Sequence, residues 1–213
     1  MMKLRLKTTW NVNGKRYLYF GPLPALIRLP VWLLLGRGIP TGLMIVLFCA
    51  GSAVLFALII NELTLVGESS DSLLKAVFIV LFTFNGYSLF MTLIPSIHHE
   101  AFAAAMLFLM SAFYLLAKTW GRGNVPIVTT AALIGLSLAC CLASRATYVF
   151  YSAVIVIVLI VGIWSRAGYV LKRKEFVPMV VIVGIVAANV GFLLAHNYAR
   201  FGAPFDFGLK YQV

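Results

Sequence analysis

Long apolar runs constrain this chain more than any other feature. A run of about 20 such residues in a helix crosses the roughly 30 Å hydrocarbon core of a membrane, where a helix satisfies its own backbone hydrogen bonds. Six runs have this character: 43–66, 73–94, 101–117, 125–144, 148–164 and 177–195. The sequence therefore predicts an all-α, polytopic membrane helix bundle with about six transmembrane helices.

Composition supports this fold class. Hydrophobic residues make up 62% of the chain, charged residues 11%, and the mean hydropathy is +1.01, which is outside the range of soluble globular proteins. The net charge of +11 lies in short intervals between apolar runs and forms no continuous basic face, which argues against a nucleic-acid partner. Cys49, Cys140 and Cys141 all lie in apolar runs and have neither a disulfide pattern nor a metal-ligand spacing.

The stretch 20–35 is apolar but interrupted. Pro22, Pro24 and Pro30 break it, Arg28 lies in its middle, and about 16 residues at 1.5 Å each reach only ~24 Å. We expect an interfacial or re-entrant helix in which Arg28 reaches the lipid headgroups and Trp32 faces lipid or neighbouring helices. The chain is then one transmembrane domain: 1–42 as an outer loop with this helix, 43–195 as six spans, and 196–213 as an outer tail.

Lysine and arginine in the short loops indicate the orientation. The loop 166–175 holds four of them and is expected in the cytoplasm. After residue 42, alternation places seven Lys/Arg on that side (75, 118, 122, 166, 172, 173 and 174) and three outside (145, 200 and 210). Seven more basic residues before position 42 fall outside, against the rule. Either 20–42 contains a further crossing, or an upstream span that this chain lacks set the bias.

Polar residues follow one predicted helix face in the second span. Asn85, Ser88, Thr92 and Ser96 are three or four residues apart and lead toward residue 98. Two interpretations are open: interhelical hydrogen bonds, or a wet groove that ends at an acidic site. Asn189, in the sixth span near Gly184 and Gly191, is expected to help pack the helices through hydrogen bonds.

The sequence His98-His99-Glu100 places two imidazoles and a carboxylate at an outer helix start. Glu100 is a candidate general base or cation ligand, and a neutral histidine a candidate proton carrier. Adjacent positions do not share a helix face, so this is not a zinc-type spacing. In the alternative interpretation, Glu100 complements the positive end of the helix and the histidines lie among headgroups.

Arg145 follows Gly135, Ala139 and Ala143, whose four-residue spacing predicts close packing of the fourth span on a neighbour. At the outer interface its guanidinium is suited to a phosphate, or to anchoring on lipid headgroups. The tail 197–212 mixes charges with aromatic residues, which are typical of the interfacial belt.

Three stretches together resemble a known family. NGKRYLYFGPLPAL at 13–26, IHHEA at 97–101 and NYARFGAPFDFGLKYQ at 197–212 are similar to segments of bacterial multispan proteins related to the dolichyl-phosphate-mannose protein mannosyltransferases, which have the GT-C fold. The resemblance implies transfer of a sugar from a polyprenyl-phosphate donor to an acceptor on the outer face, with inversion. It also implies a multi-pass protein of the bacterial inner membrane.

The resemblance assigns roles to particular residues. Glu100 matches an acidic position at an outer helix start, with His98 and His99 beside it as further catalytic candidates. Arg145 matches an outer basic position suited to the donor phosphate. The other substrate-binding candidates are Arg200, Asp206, Lys210, Tyr17 and Tyr19. A divalent cation is a candidate cofactor with no assigned ligands, and the partners are the lipid-linked sugar donor and membrane lipids.

The chain also departs from the family pattern. Residues 1–16 contain no Asp or Glu and no preceding span, so the chain resembles a fragment that lacks the N-terminal span and acidic loop motif. A non-enzymatic polytopic protein or degenerate remnant is therefore the alternative. A transporter ranks lower, because the sequence shows no spans interrupted in paired halves.

Overall fold

A computed structural model describes residues 9–12, 15–18, 22–64, 72–121, 126–166 and 173–205. Helices dominate these residues, and a short antiparallel hairpin precedes them. The hairpin strands are β1 (Thr9–Val12) and β2 (Lys15–Leu18). The helices are α1 (Leu23–Leu35), α2 (Thr41–Thr64), α3 (Ser72–Thr83), α4 (Gly86–Leu93), α5 (Ile97–Gly121), α6 (Val128–Ser144), α7 (Val149–Arg166) and α8 (Arg173–Phe201).

Five segments are long and apolar enough to cross a membrane: Thr41–Leu63, Ser72–Leu93, Ile97–Thr119, Ala146–Ser165 and Phe176–Phe201. The protein is thus a multi-pass membrane protein, and the predicted all-α bundle is confirmed. α6, the predicted fourth span, has 17 residues and a length of about 25 Å. α5, predicted to be short, has 25 residues and begins four residues before the expected start.

The second span is not one continuous helix, contrary to the prediction. α3 ends at Thr83, and α4 begins at Gly86 after Asn85, whose side-chain oxygen accepts from the Ser88 backbone N–H at 2.9 Å. Asn85 therefore caps a new helix and does not share a continuous helix face with Thr92. The polar groups bond locally: Asn85 Nδ2 donates to the Phe82 carbonyl at 2.5 Å, and the Thr92 hydroxyl to the Leu89 carbonyl at 2.9 Å.

α6 forms the centre of the larger core, between α5 and α8. Gly135 allows the close approach, because a Cβ built there would lie 3.3 Å from the Ile182 Cα and 3.2 Å from the Ile185 Cβ of α8. The predicted tight packing of this small-residue face is confirmed. A second core joins α2, α4 and α5 around Ile45, Met91 and Ala104.

α1 and the hairpin precede the bundle. α1 has 13 residues and ends at Gly36, whose φ of +64° is the left-handed conformation that glycine adopts without strain. Its length of about 20 Å is too short to cross a bilayer. Its placement along the interface stays a prediction. In the hairpin, Thr9 pairs with Leu18 and Val12 with Lys15.

Candidate functional site

The first turns of α5 carry two polar clusters that point in different directions. Residues 98 and 102 are one helical turn apart, about 40° around the axis, whereas 98 and 100 differ by about 200°. His98 accordingly contacts Arg145 after α6, while Glu100 contacts Arg28 of α1. His98 and Glu100 thus lie at one end of the bundle but on two faces of α5.

Glu100 is buried in an ion pair. Its side chain is 2% exposed, and both carboxylate oxygens accept from Arg28: Nε donates to Oε1 at 2.9 Å, and Nη2 donates to Oε2. Nη2 also donates to the Thr41 hydroxyl at 2.8 Å, at the start of α2. Arg28 supplies the partner that the buried carboxylate needs, and the expectation that Arg28 reaches the headgroups stays a prediction.

This pairing bears on the predicted role of Glu100. A general base needs an oxygen that can accept the substrate proton within hydrogen-bond reach, and here Arg28 occupies both oxygens. The pair also joins three elements, α1, α2 and α5, at one point. The catalytic role of Glu100 stays a prediction.

Arg145 forms the second cluster. It follows the last residue of α6, and its backbone N–H bonds to the Cys141 carbonyl at 3.1 Å. Its guanidinium carbon lies 3.3 Å from the centre of the Phe102 ring, Nη1 donates to His98 Nε2 at 3.1 Å, and Nε donates to the Thr147 hydroxyl at 3.3 Å. A guanidinium stacked on a ring in this way is held in one orientation.

The histidine contacts define which ring nitrogens carry protons. Because guanidinium has no acceptor, the contact with Arg145 requires an unprotonated Nε2 on His98. His99 Nδ1 lies 2.6 Å from the Ile94 carbonyl oxygen, so Nδ1 carries the proton and donates it. Nε2 of a neutral His99 then carries no proton and can accept one, as a general base does.

Aromatic rings connect the helix ends around this cluster. Phe90 of α4 contacts the His99 ring at 5.1 Å, Phe102 contacts Tyr148 at 6.2 Å, and Tyr148 contacts Tyr151 of α7 at 5.5 Å between ring centres. The end of the predicted second span therefore meets the start of the third. The end of the fourth and the start of the fifth lie beside them.

The remaining substrate-binding candidates are not brought to this cluster by the described contacts. The Arg200 guanidinium carbon lies 4.9 Å from the Phe201 ring centre, at the end of α8. Tyr17 lies in β2, opposite Trp10. Tyr19, Asp206 and Lys210 lie outside the described residues. Their roles stay predictions.

No metal site accompanies the cluster in the described ranges. Among these residues, no group of three His, Cys, Asp or Glu side chains could hold a metal ion. A pocket beside the break between α3 and α4 is lined by Cys49, Ser52, Thr83 and Ser88 among others, and its volume of about 10 Å³ has room for about one water molecule.

Sequence reasoning missed Arg28, Thr41 and Phe102 as site residues. For Arg28 a signal existed, because charged residues within apolar segments usually pair with each other, and Glu100 begins such a segment. The partners are 72 positions apart, and spacing along the chain does not reveal such a pair. Phe102 carried a weaker signal, its i, i+4 relation to His98.

Comparisons with known proteins do not extend these assignments. Searches of protein-family models, curated protein sequences and solved structures found no match to this chain.

Proposed function

We propose that the protein is a membrane glycosyltransferase of the GT-C type, or a part of one, that takes a sugar from a polyprenyl-phosphate donor at the outer face of a bacterial inner membrane. The resemblance of 13–26, 97–101 and 197–212 supports the activity. The observation that carries the site is Arg145, held on Phe102 beside two histidines at the end of the bundle.

The chemistry assigns a role to Arg145. When the sugar leaves its donor, negative charge accumulates on the departing phosphate, and a preorganised cation stabilises that charge. Arg145 is preorganised because ring stacking and hydrogen bonds to His98 and Thr147 fix its plane. A guanidinium also matches the geometry of phosphate oxygens.

We assign the base to His99 in preference to Glu100. The acceptor hydroxyl must lose a proton as it attacks the sugar carbon, and a neutral imidazole near pH 7 takes a proton effectively. The Ile94 carbonyl orients His99 so that Nε2 is the accepting nitrogen. Glu100 instead holds Arg28.

The test measures release of polyprenyl phosphate from a radiolabelled polyprenyl-phosphate hexose, in vesicles that contain the full chain and a cell-envelope fraction as acceptor. We expect Arg145→Ala to lower turnover by roughly 10²- to 10³-fold, the scale of losing one preorganised stabilising group. His99→Gln should lower turnover by about 10²-fold or more. Arg37→Ala, which removes an equal charge from an exposed side chain, should leave turnover unchanged.

A non-enzymatic role is the second candidate, and the pairing of Glu100 with Arg28 favours it. A carboxylate with both oxygens bonded to a partly buried arginine stabilises a helix bundle without any chemistry. If the wild-type chain releases no polyprenyl phosphate from any hexose donor, while remaining folded, the glycosyltransferase proposal fails and this candidate stands.

A further inference from the structure

Arg28 has hydrogen-bond donors that the protein does not use. A guanidinium carries five N–H donors in a fixed planar fork. Nε and Nη2 bond to Glu100 and Thr41, whereas no acceptor for Nη1 lies among the described residues. The side chain is 27% exposed, so a ligand has access to the guanidinium. One edge of the fork is therefore buried against Glu100, and the other has two donors available.

Thr41 adds a second group at the same point. Its hydroxyl oxygen accepts from Arg28 Nη2 at 2.8 Å, and its own O–H donates to the Glu100 carboxylate. A hydroxyl that accepts one hydrogen bond can donate another. Thr41 and Glu100 together thus hold one edge of the guanidinium, and Arg28 presents the two donors of Nη1 beside the turn from α1 to α2.

The surroundings of these donors suit an amphiphilic anion. Beside Arg28, α1 exposes Leu29, Trp32 and Leu33, which are 46%, 55% and 66% exposed. Polar donors next to an exposed apolar surface match a phosphate headgroup joined to hydrocarbon chains.

We infer that Arg28 forms a binding site for a phosphate group at the α1–α2 turn, and that Glu100 and Thr41 are the positioning residues that orient Arg28 in it. This site lies on the Glu100 face of α5, separate from Arg145, and does not depend on the proposed glycosyltransferase activity. A lipid headgroup and free inorganic phosphate offer the same oxygens. Because Glu100 balances the charge of Arg28, binding depends on the guanidinium geometry more than on net charge.

Native mass spectrometry of the full chain in neutral detergent tests the site. The probes are phosphatidic acid, diacylglycerol with the same acyl chains, and inorganic phosphate as a competitor. We expect retention of phosphatidic acid in preference to diacylglycerol. Displacement by millimolar phosphate would support free phosphate as the source, and failure to displace would support the lipid. Equal retention of the two lipids, with no phosphate adduct, would overturn the site.

Two variants test the site without leaving Glu100 unpaired. Arg28→Lys keeps the charge but lacks the fork, and Thr41→Val keeps the shape but lacks the hydroxyl that accepts from Arg28 Nη2. Each should weaken phosphatidic acid binding by about tenfold, the scale of one charge-assisted hydrogen bond. Arg37→Ala is the matched control, with near wild-type binding. If Arg37→Ala weakens binding as much as Arg28→Lys, diffuse charge explains the binding and the site is wrong.

A third pair of variants tests the positioning role. Glu100→Gln keeps the side-chain shape but cannot hold both donors of Arg28 as a carboxylate does. It should weaken binding, and Glu100→Asp should restore part of it. Thermal stability measured beside affinity separates the roles. Loss of affinity with the Glu100→Gln protein still folded supports positioning. Unchanged affinity in folded Glu100→Gln overturns it.

Discussion

At the residue scale, the ion pair of Arg28 with Glu100 has the largest expected effect on stability. Glu100 is almost fully buried, and a buried charge without a partner is strongly unfavourable. Removal of one partner should therefore be worse than removal of both. The pair adds a polar contact between α1 and α5 to the apolar packing of α1 on the bundle.

This gives a stability prediction. Arg28→Ala should lower the free energy of unfolding by about 3–5 kcal/mol, because it leaves a buried carboxylate unpaired. Arg28→Ala combined with Glu100→Gln should cost clearly less than Arg28→Ala alone, since the carboxamide carries no charge. Denaturant unfolding in mixed micelles, read as a double-mutant cycle, measures both. If the double variant is less stable than Arg28→Ala, the pair is not the reason for the loss.

The sequence predicted part of this residue pattern. It singled out Glu100, His98, His99 and Arg145 because polar groups are costly at membrane depth, and the contact of His98 with Arg145 brings two of these together. It did not predict that Glu100 turns away from them. That outcome follows from the rotation of about 200° between positions 98 and 100 on a helix and from a partner 72 positions away in the sequence.

At the element scale, helices were predictable and their interruptions were not. Apolar length indicated the spans, because the membrane requires about 20 residues to cross. The break after α3 lay hidden in an apolar run, although Phe84-Asn85-Gly86 contains two residues that favour helix ends. The hairpin was also missed, although Asn13-Gly14 between β1 and β2 is a strong hairpin signal.

The packing of α6 on α8 gives a prediction at this scale. In Gly135→Ala, the new Cβ would meet the Ile182 backbone at 3.3 Å, which cannot yield without moving a helix. In Gly51→Ala, the nearest atom, at 2.8 Å, is the end of the Leu107 side chain, which can rotate away. We expect Gly135→Ala to cost about 1–3 kcal/mol, the range for overpacking, and Gly51→Ala clearly less. Thermal unfolding of both in the same detergent is the measurement, and equal losses would show that α8 yields as readily as a side chain.

At the scale of the whole molecule, the arrangement of helix ends agrees with strict alternation of spans. The contact of His98 with Arg145 places the start of α5 and the end of α6 at one end of the bundle, as six crossings require. Which end faces the cytoplasm rests on the distribution of Lys and Arg alone. The proposed activity rests on the resemblance of three short stretches, which the helix packing does not test.

Cysteine labelling across α7 tests the orientation. Thr147 and Ser165 lie at opposite ends of one membrane-spanning segment, and both are exposed. With the three native cysteines replaced by alanine, a membrane-impermeant maleimide added to intact cells should modify Thr147→Cys. Because 166–175 holds four of the Lys/Arg residues that favour the cytoplasm, Ser165→Cys should react only after the cells are permeabilised. The two positions lie in one membrane-spanning segment, so expression and folding affect them alike. The reverse pattern would place Arg145 and the histidines in the cytoplasm, where an outer-face donor could not reach them. Labelling of both in intact cells would mean that α7 does not cross the membrane.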